Sequence, residues 1–145
     1  MTNASDANLT PIPRPAQNRC FGCGLANQNG MHLEFYAASD GSVVAQPTVA
    51  ECFESGMGFL HGGIIATLLD EAMSKAMHAN NVLAMTRHIE VDYLRPVPSL
   101  KPIRIEARRT HHEGKKQYVQ AHILSPDGET LATAKGLFIE IKRQE

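Results

Sequence analysis

Only one stretch of this chain, residues 61–79, carries its apolar side chains at helical spacing, and nearly everything after it alternates at the period of a strand. A wheel at 100° per residue puts Ile65, Leu69, Ala72 and Ala76 at the centre of a broad apolar arc, with Ile64, Leu68 and Met73 on its shoulders. Asn80 and Asn81 end the segment. Downstream, Arg87, Ile89, Val91 and Tyr93 alternate with polar residues until Pro96 and Pro98 stop the run. Ile103, Ile105 and Ala107 form a second such run, and Val119, Ala121 and Ile123 a third. Asp127-Gly128 turns the chain into a last strand over residues 130–142.

Upstream, residues 31–36 and 42–49 read as two strands joined through the turn pair Asp40-Gly41. Residues 51–60 read as a loop, and residues 19–30 as a turn-rich segment around Cys20 and Cys23. Residues 1–18, with Pro11, Pro13 and Pro15, read as a flexible arm ahead of a single domain over residues 19–145. The order β-β-α-β-β-β-β predicts an α+β fold, an antiparallel sheet wrapped around one long central helix.

Charge excludes several function classes. Fourteen Lys and Arg against fifteen Asp and Glu give a net charge of −1, so nothing favours nucleic acid or an anionic membrane as partner. The longest apolar run is far too short to span a bilayer. The polar start of the chain lacks the apolar stretch of a secretory signal, and its three cysteines are an odd number. The expectation is a cytoplasmic protein with reduced thiols.

The helix also holds the candidate chemistry. Gly62 and Gly63 leave backbone N–H groups open at its start, where the dipole favours negative charge. Asp70 and Glu71 interrupt the apolar run, and a buried acid is costly unless paired or used. Glu71 has a partner at i,i+4 in Lys75 and reads as half of a surface ion pair. Asp70 has no basic residue at i±3 or i±4. It is either a base for hydrolysis or acyl transfer, or an acid bonded to Thr67 or Ser74 or solvated. His61 reads either as a structural residue bonding loop backbone or as a catalytic one. Cys20 and Cys23 have metal-ligand spacing, but two ligands do not close a zinc site; further ones would have to come from His32, Cys52 or a second copy. The expectation is therefore no metal and no cofactor.

The run His61-Gly62-Gly63, with an acid nine residues after the histidine at Asp70, resembles the helix start of hotdog-fold acyl-CoA thioesterases. The nearest branch includes the phenylacetate-pathway and 4-hydroxybenzoyl-CoA thioesterases. Thr86 and the run Tyr93-Leu94-Arg95-Pro96 match the strand after that helix, and the resemblance covers residues 20–142. It implies that Asp70 acts as general base or nucleophile and that the Gly62 N–H polarises the thioester carbonyl with help from Gly63. It also implies that Thr86 orients the attacking water, and that sites form between protomers of a dimer or a dimer of dimers. Relatives carry Asn or Gln where this chain has Ser55. Arg87 and Arg95, with Arg108, Lys115 and Lys116, are candidates for the phosphates of coenzyme A, which is half of the substrate and not a cofactor. Two other readings stay open: a non-catalytic acyl-thioester binding module, and a hotdog dehydratase.

Overall fold

The computed structural model describes residues 8–141. Its one α-helix, α1 (Gly62–Ala79), lies against an antiparallel seven-stranded sheet. In chain order the strands are β1 (Thr10–Pro11), β2 (Tyr36–Ala37), β3 (Val43–Ala45), β4 (Glu54–Gly56), β5 (Phe59–Leu60), β6 (Ala84–Tyr93), β7 (Arg104–Glu113), β8 (Lys116–Leu124) and β9 (Thr130–Glu140). The large sheet runs β1-β2-β3-β7-β8-β9-β6, while β4 and β5 form a separate hairpin. This is the α+β hotdog architecture that the element order and the resemblance imply.

The predicted apolar arc is the packed face of α1. Leu68, Leu69, Ala72, Met73 and Ala76 are wholly buried, and Ile105, Val119, Ile123, Ala132 and Phe138 meet them from the sheet. Full burial stabilises each large apolar side chain by roughly 1.5–3 kcal/mol. Gly136 on β9 lets the helix come this close, since a Cβ there would sit 2.9 Å from the Met73 sulfur and from a Phe138 ring carbon. The helix ends as its sequence predicts. Asn81 adopts a left-handed φ of 60°, and the Val82 and Asn81 N–H groups close onto the Met77 and His78 carbonyls.

Four expectations need correction. Residues 10–12 are not a free arm: Thr10–Pro11 pairs with β2, and Ile12 is buried and donates its N–H to the Phe35 carbonyl. Residues 1–7 of that expected arm lie outside the described residues. The strand expected over residues 31–36 is reduced to β2, because the Met31 and Leu33 N–H groups bond instead to the Phe21 and Gly22 carbonyls of the cysteine-bearing turn. Of the strand expected over 42–49, only Val43–Ala45 pairs continuously. The loop over 51–60 contains the β4–β5 hairpin, turned at Gly58 with φ of 78°.

Candidate active site at the start and middle of the helix

His61 is the N-cap of α1. Its backbone is extended, and its ring Nδ1 accepts the Gly63 N–H at 2.9 Å. In the neutral ring this puts the imidazole proton on Nε2. The contact is the backbone bond that the structural reading of His61 expects. It also corrects the expectation for Gly63, whose N–H is engaged by the cap. The Gly62 N–H, by contrast, finds no acceptor among the described residues. Gly62 is further fixed by Tyr93, whose hydroxyl donates to the Gly62 carbonyl at 2.8 Å.

Two turns along the helix, Asp70 accepts a hydrogen bond from the Thr86 hydroxyl, Oγ1 to Oδ1, at 2.7 Å. Neither local partner considered from sequence holds it. Thr67 donates back to the Gly63 carbonyl at 3.0 Å, as hydroxyls within helices often do. Asp70 is only half-buried and Thr86 is exposed, so the pair faces open space rather than the core.

Strand β6 supplies both groups that touch this line of the helix, Thr86 to Asp70 and Tyr93 to Gly62. Seven residues apart, they would point to opposite faces of a regular strand. A bulge resolves this. The register with β9 shifts between Thr86 and His88, leaving Arg87 as the extra residue, so Thr86 before it and Tyr93 after it both face the helix. Sequence reading missed Tyr93 as part of the site. Its position in the matched Tyr93-Leu94-Arg95-Pro96 run was the available signal.

Neither Arg95 nor Ser55 is bonded to this pair. Arg87 is exposed at the bulge. Arg95 is ion-paired with Glu129 at 3.2 Å, both well exposed. Ser55 is exposed on β4, next to Glu54, which accepts a hydrogen bond from the Ser99 hydroxyl.

Glu71 proves less ordinary than its spacing suggests. Its Lys75 partner is 3.9 Å away, but the two side chains are 13% and 14% exposed, so the pair is not a surface one. The Cys20 thiol donates to Glu71 Oε2 at 3.6 Å. Burial, followed by the hydrogen bond and charge of Glu71, pushes the Cys23 thiol up to about 12.

A backbone N–H free at a helix start and a threonine-held carboxylate on the same helix can polarise a carbonyl and take a proton from water. The chain is similar to several known proteins. The sequence pattern of the thioesterase superfamily matches residues 57–132, which span α1 and β6 through the start of β9. Acyl-coenzyme A thioesterase THEM4 of Rattus norvegicus is 32% identical over 104 residues, covering 67% of this chain and 45% of that protein. The chain thus spans less than half the length of this relative. The crystal structure of RHA08564, a thioesterase superfamily protein, superposes with a TM-score of 0.80 at 26% identity, over 84% of this chain and 60% of that one. The E. coli PaaI protein from the phenylacetic acid degradation operon shares the fold, with a TM-score of 0.71 at 21% identity over 77% of this chain and 81% of its own. No helix among the described residues is long and apolar enough to cross a membrane. With more than half of its length matched to the pattern, the chain belongs to the thioesterase superfamily.

Proposed function

We propose that this protein hydrolyses acyl-CoA thioesters, with Asp70 as the general base that activates water. The observation that carries this reading is the Thr86–Asp70 hydrogen bond of 2.7 Å on the helix whose start offers the Gly62 N–H. The thioester carbonyl sits at the Gly62 N–H, which receives the developing negative charge; one such donor is typically worth ~10²–10³ in rate. Water sits against the second oxygen of Asp70. It loses its proton there as it attacks the carbonyl carbon; the carbon–sulfur bond then breaks and the proton passes from Asp70 to the departing sulfur, giving the acid and coenzyme A. Gly63 has no part in this, and His61 acts by holding the helix start. The family membership and the name of the rat relative favour an acyl-CoA thioester over other thioesters. Arg87, exposed beside Thr86, is the candidate contact for the phosphates of coenzyme A. A second copy of the chain closes the site, because the Thr86 side of β6 is open in one chain.

Release of free thiol from a panel of acyl-CoAs tests the reading. Asp70→Asn is expected to keep the fold and ligand binding while lowering kcat by at least ~10². Unchanged turnover in the folded variant removes Asp70 from the reaction. Tight acyl-CoA binding with no thiol release by the unaltered protein would favour a binding module instead.

A further inference from the structure

The turn that carries Cys20 and Cys23 is built to face Glu71. Asn18 Oδ1 accepts the Cys20 N–H at 2.8 Å, and the Gly24 N–H returns to the Cys20 carbonyl at 2.8 Å, which brings residues 20 and 23 to one side. Gly22, between the cysteines, and Gly24, just after them, both lie where an added Cβ would collide. A Cβ on Gly24 would collide with the backbone of Asn18 and Cys20, and one on Gly22 would sit 2.5 Å from Glu71 Oε2. The Cys20 and Cys23 sulfurs and a Glu71 oxygen all lie within 4.8 Å of one another. Cys23 is 2% exposed, and Glu71 is the acid of α1 that the reaction at Asp70 leaves unused.

We propose that Cys20, Cys23 and Glu71 bind a thiophilic divalent cation, zinc by its donor set, with water in the fourth position. The expectation of no metal rested on having only two ligands; α1 supplies the third. Metal–sulfur and metal–oxygen bonds of about 2.3 and 2.1 Å at a tetrahedral angle imply a sulfur–oxygen separation of about 3.6 Å. The Cys20 sulfur stands 3.6 Å from Glu71 Oε2. Two thiolates and a carboxylate around a dication carry one net negative charge, and Lys75, 3.9 Å from Glu71 Oε1, balances it. Two sulfur donors disfavour magnesium and calcium, which prefer oxygen ligands alone. Binding displaces two protons, one from each thiol, and no electron moves. The metal would pin the turn, and through it residues 31–33, to the helix.

The test uses the full chain, reduced and stripped with a chelator, titrated with cobalt(II) and then zinc(II). Thiolate-to-cobalt charge-transfer absorption is expected to saturate at one equivalent and to vanish as zinc displaces cobalt. Zinc should shield Cys20 from alkylation, leaving Cys52, which is exposed, reactive. Cys20→Ser and Cys23→Ser should abolish the absorption, and Glu71→Gln should weaken cobalt binding at least ~10-fold. If the serine variants do not fold, the alkylation count on the unaltered protein decides. No charge-transfer absorption, no zinc-dependent shielding, or unchanged cobalt affinity in a folded Cys20→Ser protein would each overturn the site. None of these readouts depends on turnover at Asp70.

Discussion

Thr86 has one hydroxyl proton, and it goes to Asp70. That bond holds one carboxylate oxygen and leaves the other for the water of the proposed reaction. A hydrogen bond to a charged group is worth about 1.5–3 kcal/mol. Expressed fully in the transition state, its loss slows the reaction roughly 10- to 150-fold. Thr86→Ala should therefore lower kcat by that factor with little change in KM, whereas Thr86→Ser, which keeps the hydroxyl, should stay within a few-fold of the unaltered protein. Steady-state kinetics on both variants checks this, and equal losses would show that Thr86 acts through packing alone. At this scale the sequence was legible where side chains act locally. The helix-edge placement of Asp70 and the stop at Asn80-Asn81 follow from spacing. The cap from His61 to Gly63 and the burial of Glu71 do not: the first depends on a ring orientation, the second on a turn fifty residues away.

At the scale of elements, β6 matters most. Its bulge exists because β9 holds the strand in two registers, one before Arg87 and one after. Deleting Arg87 should merge the two registers and turn either Thr86 or Tyr93 away from α1, since a shift of one residue exchanges the faces of a strand. The deletion should abolish turnover while far-UV circular dichroism still reports the sheet. Arg87→Ala, which keeps the residue count, should lose at least tenfold less activity. Equal losses in the two would trace the effect to the guanidinium and not to the bulge. No alternation in the sequence of β6 announces this feature, because the pairing that creates it comes from residues 130–140. The interrupted strand before β2 escaped for a related reason. Met31 and Leu33 alternate with polar residues as a strand would, and both side chains turn inward, but their N–H groups are taken by the cysteine turn. Periodicity reports which side chains are buried, and only the partners of the backbone decide whether a strand forms. Hence the helix and the four long strands from residue 61 onwards were readable, and the short β4–β5 hairpin, with its Gly56, Met57 and Gly58, was not.

The whole molecule ends on one side at β6, the last strand of the sheet. Ten residues long, it leaves one backbone edge without a neighbouring strand among the described residues, and such an edge is a template for pairing with another chain. It is also apolar. Met85 is 61% exposed, and Tyr93 and the adjoining Leu94 are more than half exposed. Met85 adjoins Thr86 and Tyr93 shares its face of β6, so a partner laid along the whole strand would also cover the carboxylate. The second copy proposed above would meet that requirement through a two-fold contact in which each β6 region covers the other's site. Light scattering should then report a multiple of 15.9 kDa, two or four chains, at micromolar concentration. Specific activity should fall on dilution in step with the loss of that mass. Met85→Glu, which sets like charges against each other across the two-fold, should shift the protein to monomer at concentrations where the unaltered chain is associated, and should lower turnover while circular dichroism stays the same. A monomer that keeps full specific activity would show that one chain encloses Asp70 by itself.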